Sequence, residues 1–174
     1  MLAYVFTHWP ADSGRRDAYE AGVAGFHREL ARVGSEGFER SLLYRVRGAP
    51  WVGAEFGYED WYLVEGSYAL DPLNEVAVSE HLRPAHDAAA RAAGGGMGAL
   101  YRLQSGVPKP ASGAVSWLSK PAGESYPDFY RRFGAEAVLW RRQMVLGSAT
   151  EFLLEGEPPQ GLTGERVRRE LLFG

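Results

Sequence analysis

The chain contains no cysteine, and its only lysines are Lys109 and Lys120. Without cysteine there can be no disulfide, no thiolate metal centre and no cysteine nucleophile. The scarcity of lysine beside abundant arginine reads as genomic base composition before it reads as function. An excess of charge is missing too: the formal net charge of −3 offers no electrostatic basis for binding nucleic acid or anionic lipid. No apolar run approaches the roughly 18 residues that a membrane-spanning helix needs. Met1-Leu2-Ala3-Tyr4-Val5-Phe6 has neither a basic lead nor a small-residue cleavage site, so no secretory signal is expected and a cytoplasmic location is. What remains is ordinary: 45% apolar and 24% charged residues in a chain of 174, enough to bury one core or two small halves sharing one.

Periodic segments follow one another as strand, helix, strand, strand, helix, strand. Residues 2–9 are apolar, β-branched and aromatic, and Pro10 ends them. Tyr19, Val23, Phe26, Leu30 and Val33 then draw one stripe along a helix that Asp12 or Ser13 caps and Gly34 and Gly37 stop. Strands are expected over 38–47 and 60–70. A helix broken near Pro84 follows from Pro72 to Ala93, because proline has no amide hydrogen and clashes with the carbonyl of Glu80. Gly94-Gly95-Gly96 reads as its stop, and Ala99 to Gln104 as a fourth strand.

Val107-Pro108-Lys109-Pro110 reads as a semi-rigid linker, dividing the chain into residues 1–106, a connection at 107–112, and residues 113–174. In the last part the expected order is a strand at 114–119, a helix capped by Ser125, a hairpin around Gly147-Ser148, and a short terminal helix over 165–172. The opening Gly113-Ala114-Val115 repeats the pattern of Gly98-Ala99-Leu100. The expected fold is therefore α+β: two ferredoxin-like βαββαβ halves, the second lacking its last strand, packed as a pseudo-symmetric barrel. An unpaired edge on that second half makes a homodimer the expected assembly.

This order of elements resembles the dimeric α/β-barrel superfamily, including its members with two fused halves. Trp61-Tyr62, the Asn74 to Val78 helix and Pro84-Ala85-His86-Asp87 are similar to a bacterial branch of it, a likeness that brings no activity with it. The superfamily holds haem-degrading and quinone-forming monooxygenases, lactone isomerases, chlorite dismutase-like haem enzymes and small ligand-binding proteins, so fold alone does not choose a function.

Candidate chemistry rests on a few side chains. His8 ends the first strand, where an imidazole could serve as general base or haem ligand. Glu65 reads as a carboxylate on the apolar face of the third strand, which must be paired if buried. Trp140-Arg141-Arg142-Gln143-Met144 puts Arg142 on one face with Trp140; together with Trp61, Tyr101 and Trp117 it would line a pocket between the halves. The arginine would grip an aromatic or otherwise anionic ligand. His81 and His86 are five residues apart, about 140° divergent on a straight helix, so no metal site is expected there. No phosphate loop or nucleophile elbow is present. The first expectation is a small-molecule-binding protein or cofactor-independent enzyme, with His8 or Glu65 as proton carrier. A haem-binding protein is the alternative, and an interaction module without catalysis a third reading.

Overall fold

In the computed structural model, eight antiparallel strands close into one barrel, and the structure describes residues 1–144 and 150–174. In chain order the elements are β1 (Leu2–Pro10), α1 (Arg16–Val33), β2 (Phe38–Arg47), β3 (Phe56–Val64), α2 (Leu70–Ala77), α3 (Arg83–Ala92), β4 (Ala93–Ser105), β5 (Gly113–Leu118), α4 (Tyr126–Arg131), β6 (Leu139–Met144), β7 (Phe152–Leu154) and β8 (Gly164–Phe173). Around the barrel they run β1-β3-β2-β8-β5-β7-β6-β4 and return to β1. Among the described residues no helix is long and apolar enough to cross a membrane.

Strand alternation sorts each side chain to the barrel interior or to its outer face. Along β1, Ala3 and Val5 enter the interior core, while Tyr4, Phe6 and His8 point outward. Trp61, Tyr101, Trp117 and Trp140 fill the interior, with Trp61–Trp140 and Tyr101–Trp117 meeting edge to face at 5.3 and 5.7 Å. Such large rings each remove 150–250 Å² from water, roughly, and edge-to-face contact adds to that. Outside, α1, α2 and α3 lie over the part of the barrel built on β1, β3 and β2; α4 packs Phe129 onto Leu118, Leu139 and Phe152 elsewhere.

The α1 stripe is buried at Tyr19, Val23, Phe26 and Leu30, and emerges at Val33. Asp12 accepts from the Gly14 amide just before this helix, and Ser125 caps α4 by accepting from the Asp128 amide. The break between α2 and α3 falls before Pro84, which takes an early helical position where its missing amide costs nothing.

The expectation of two ferredoxin-like α/β halves is corrected by this closed barrel with few helices. Residues 165–172, read from sequence as a terminal helix, lie within β8, which pairs β2 on one side and β5 on the other. Gly164-Glu165-Arg166-Val167-Arg168-Arg169-Glu170 offers only Val167 to an apolar face, too little for a helical stripe; alternation sends Val167 and Arg169 inward instead. β8 is the strand that the dimer expectation took to be missing from the second half, and it is paired on both sides. The glycine run is also not a helix stop: β4 begins at Ala93 and contains it. A Cβ at Gly96 would stand 2.6 Å from the Phe6 ring, and one at Gly98 2.6 Å from the Tyr4 hydroxyl, so the missing side chains let these rings lie across the sheet. The expected hairpin at Gly147-Ser148 lies outside the described residues.

Every residue of β3 is buried, because the barrel interior covers one face and the helices cover the other. Its consecutive acids therefore end in different interiors. Glu59 points into the barrel, where Arg169 donates to it and the Trp61 indole donates at 3.0 Å. The Arg169 guanidinium stacks over the Trp61 and Tyr44 rings at 4.6 and 4.9 Å. Near it, Glu155 is pushed up by burial, an effect that Arg169 and the Trp140 indole at 3.2 Å oppose. Arg169→Met should destabilise the fold by about 3–5 kcal/mol, because it strands the Glu59 charge in the interior. Adding Glu59→Leu should recover most of that loss; chemical denaturation of the two variants measures both steps.

Candidate functional site

Asp60 faces the opposite way, toward a cavity of about 650 Å³ between the barrel and the helical layer. β1 and β3 supply its floor, and α1, α2 and α3 its walls. Its lining is mainly apolar, with Phe6, Phe26, Leu30, Leu73 and Ala77 among the contributors, and includes no lysine or arginine among the described residues.

One polar cluster interrupts that lining. His8 and Asp60 come from adjacent strands, with Thr7 opposite Glu59 and His8 opposite Tyr58. His8 Nε2 lies 3.1 Å from Asp60 Oδ1, and His8 Nδ1 lies 2.6 Å from the Tyr19 hydroxyl on α1. Tyr62, two residues along β3 and therefore on the same face, donates its hydroxyl to Asp60 Oδ2 at 3.1 Å. His27, from the next turns of α1, brings its Nε2 to 3.1 Å from Asp60 Oδ1. The angle of that contact is poor for a hydrogen bond, and His27 Nδ1 has no hydrogen-bond partner among the described residues.

Burial alone would raise the Asp60 carboxyl, but His8 and His27 outweigh it and hold the group well below the ordinary carboxylate range. The Tyr19 phenol is pushed far up by burial, reinforced by the nearby Asp60 charge, and Tyr62 is raised for the same two reasons. Asp60 is thus an acceptor only, which requires His8 to carry its hydrogen on Nε2 when neutral. The Tyr19 hydroxyl then donates to His8 Nδ1. The result is a chain Tyr19–His8–Asp60 whose outer end is a phenol at the cavity wall.

The residues singled out in the sequence scatter over the molecule. His8 lines this cavity, as does His86 of α3, whose Nδ1 is 3.1 Å from Asp87 Oδ1. Trp61, Tyr101, Trp117 and Trp140 are in the barrel interior, where they pack against one another. Trp61 and Trp140 also border a space of about 10 Å³ at the barrel end beneath Pro108, Lys109 and Pro110, with room for no more than about one water. Arg142 on β6 is half-buried and close enough to act electrostatically on the Tyr101 phenol. Glu65 follows the end of β3, is exposed, and accepts from the Tyr68 hydroxyl. His81 is exposed beside Arg32 and Glu29.

Asp60, His27, Tyr19 and Tyr62 were not among the sequence candidates. A signal existed for His27: positions 23, 26, 27 and 30 are the i, i+3, i+4, i+7 set of one helix face, which puts a histidine in an apolar stripe. For Asp60 the signal is its place between Tyr58 and Tyr62 in the alternation of β3. No protein-family model matches the chain, and no curated protein matches it either.

Because the Asp60 carboxyl is depressed in the folded state, its contribution is present above the ordinary carboxyl value of 3.8 and is lost as pH falls toward the folded value. The unfolding free energy of the native protein should therefore drop on acidification below about pH 4 more steeply than that of Asp60→Asn. At pH 7 that variant should be less stable by about 3–5 kcal/mol, since it removes the one anion facing two buried imidazoles. Denaturant titrations at both pH values check each part.

Proposed function

We propose that the cavity binds a small, uncharged, largely apolar molecule and that Tyr19, His8 and Asp60 move a proton to or from a hydroxyl or comparable group on it. The observation that carries this reading is the hydrogen-bonded chain Tyr19–His8–Asp60 opening onto a cavity whose lining is otherwise mainly apolar. A roomy apolar pocket with a few converging polar groups is the usual form of a small-molecule site.

The charge of the ligand follows from the lining. A carboxylate entering the cavity would shed its water beside Asp60 and meet no arginine or lysine. An unpaired buried charge is very costly, so a neutral ligand is favoured over an anionic one. Both ring nitrogens of His8 are engaged, which leaves it no lone pair for a haem iron unless it gives up Tyr19 or Asp60.

In the proton step, a substrate hydroxyl seated against the Tyr19 oxygen passes its proton to that oxygen. The original Tyr19 proton moves to His8 Nδ1. The substrate O–H breaks, an O–H re-forms on Tyr19, and an N–H forms on His8; the new imidazolium pairs with Asp60 while the substrate becomes an oxyanion. A positioned acid–base group of this kind contributes about 10²–10⁴-fold in rate.

Two probes test the reading. 2-Naphthol should raise the melting temperature, with about 2.7 kcal/mol of stabilisation at 100 times its dissociation constant, whereas 2-naphthoate should leave it unchanged. Ala77→Trp, which fills the cavity, should abolish the naphthol shift. 4-Nitrophenol bound near its ionisation pH should gain phenolate absorbance in the native protein and lose that gain in His8→Gln. Equal binding of naphthol and naphthoate, or an unchanged nitrophenol spectrum on saturation, would sink the proposal.

A further inference from the structure

His27 is absent from that proton path, yet it shares the same carboxylate oxygen as His8. Each imidazole places Nε2 at 3.1 Å from Asp60 Oδ1. Building on the proton-transfer reading, we propose that His27 is a positioning residue that carries the positive charge balancing Asp60, so that His8 rests neutral and able to accept a proton.

Charge balance limits the states available. With both rings neutral, Asp60 is a buried carboxylate without a counterion; with both protonated, a buried cation is left over. A cluster of one cation and one anion avoids both the unpaired carboxylate and the surplus cation. One imidazole therefore holds a proton that the other lacks.

The surroundings of the two rings decide which. A neutral His8 is fully satisfied: its Nε2–H reaches Asp60 and its Nδ1 accepts from Tyr19. Protonating it would turn Nδ1 into a donor and force the Tyr19 hydroxyl to turn its hydrogen away. A neutral His27 gains less: its Nδ1 has no partner among the described residues, and its Nε2 meets Asp60 at a poor angle. Its ring lies flat on Tyr62, 5.4 Å between centroids and 7° from parallel. The face of an aromatic ring attracts a cation. As an imidazolium, His27 gains from both Tyr62 and Asp60.

The other groups facing the pair leave this division in place. Tyr4 of β1, Tyr19 of α1, and Tyr58 and Tyr62 of β3 are all raised by burial and stay neutral. Glu20 of α1 is tied to Arg45 of β2 and to the Tyr58 hydroxyl, and Glu170 of β8 to Arg45. Asp71 of α2 borders the cavity, and His86 of α3 is paired with Asp87. When His8 takes up a proton from substrate, two imidazolium rings then face Asp60 and the new oxyanion, and the site is again balanced.

Nitrogen NMR of the ligand-free protein tests the assignment. At pH 7 the His27 ring should show two protonated nitrogens, and His8 one, on Nε2. In His27→Gln, the balancing proton passes to His8, which should then show two protonated ring nitrogens at pH 7. A neutral His27 in the native spectrum, or a His8 that still shows one protonated nitrogen at pH 7 in His27→Gln, would overturn the proposal. Should the variant not fold, the native nitrogen shifts decide alone. Because no ligand is present, a failure of naphthol and nitrophenol to bind would count against the function and not against this assignment.

Discussion

Two consecutive carboxylates on a strand buried on both faces set the terms for the rest of this molecule. In a strand, neighbours point to opposite sides, so Glu59 and Asp60 cannot share a partner. Each needs its own counter-charge in its own interior. Arg169 provides one inside the barrel, and beneath the helices two imidazoles, His8 and His27, converge on the other carboxylate. The two solutions differ in kind. Arginine stays charged at any physiological pH, so the barrel pair is permanent; imidazole can gain or lose its proton, so the outer cluster can exchange one.

That contrast explains why the aromatic interior and the cavity are different sorts of place. Inside the barrel, aromatic rings pack around a fixed ion pair, and the space that Trp61 and Trp140 border holds about one water. Outside, small residues hold the volume open. Gly96 and Gly98 let Phe6 and Tyr4 lie along the sheet, and Ala77, Ala89 and Ala90 present only methyl groups from the helical wall. The cavity is thus a consequence of where Cβ atoms are missing or small, with its polar cluster set at the one edge where α1 crosses β1 and β3.

Much of the local structure was legible in the residues. The stripe on α1, the strands at 2–9 and 38–47, the caps at Asp12 and Ser125 and the break before Pro84 all follow from nearest-neighbour physics. The failures share a cause. Gly94 to Gly98 and residues 164–173 have no strong local preference, and both became strands because neighbouring strands offered them hydrogen bonds: β1 for the first, β2 and β5 for the second. A glycine run that would end a helix in isolation is tolerated in a barrel whose adjoining strand carries oversized rings.

The candidate site divides along the same line. Sequence by itself determined that cysteine chemistry is excluded, that His8 ends an apolar strand, and that His27 shares a helix face with Val23, Phe26 and Leu30, since these depend only on composition and period. That His8, His27, Tyr19 and Asp60 converge was decided by the tertiary structure alone. Their separation along the chain reaches 52 residues between His8 and Asp60, and only the β1–β3 register and the crossing of α1 over both strands bring them together. Register is a property of the paired sheet, and no residue carries it alone.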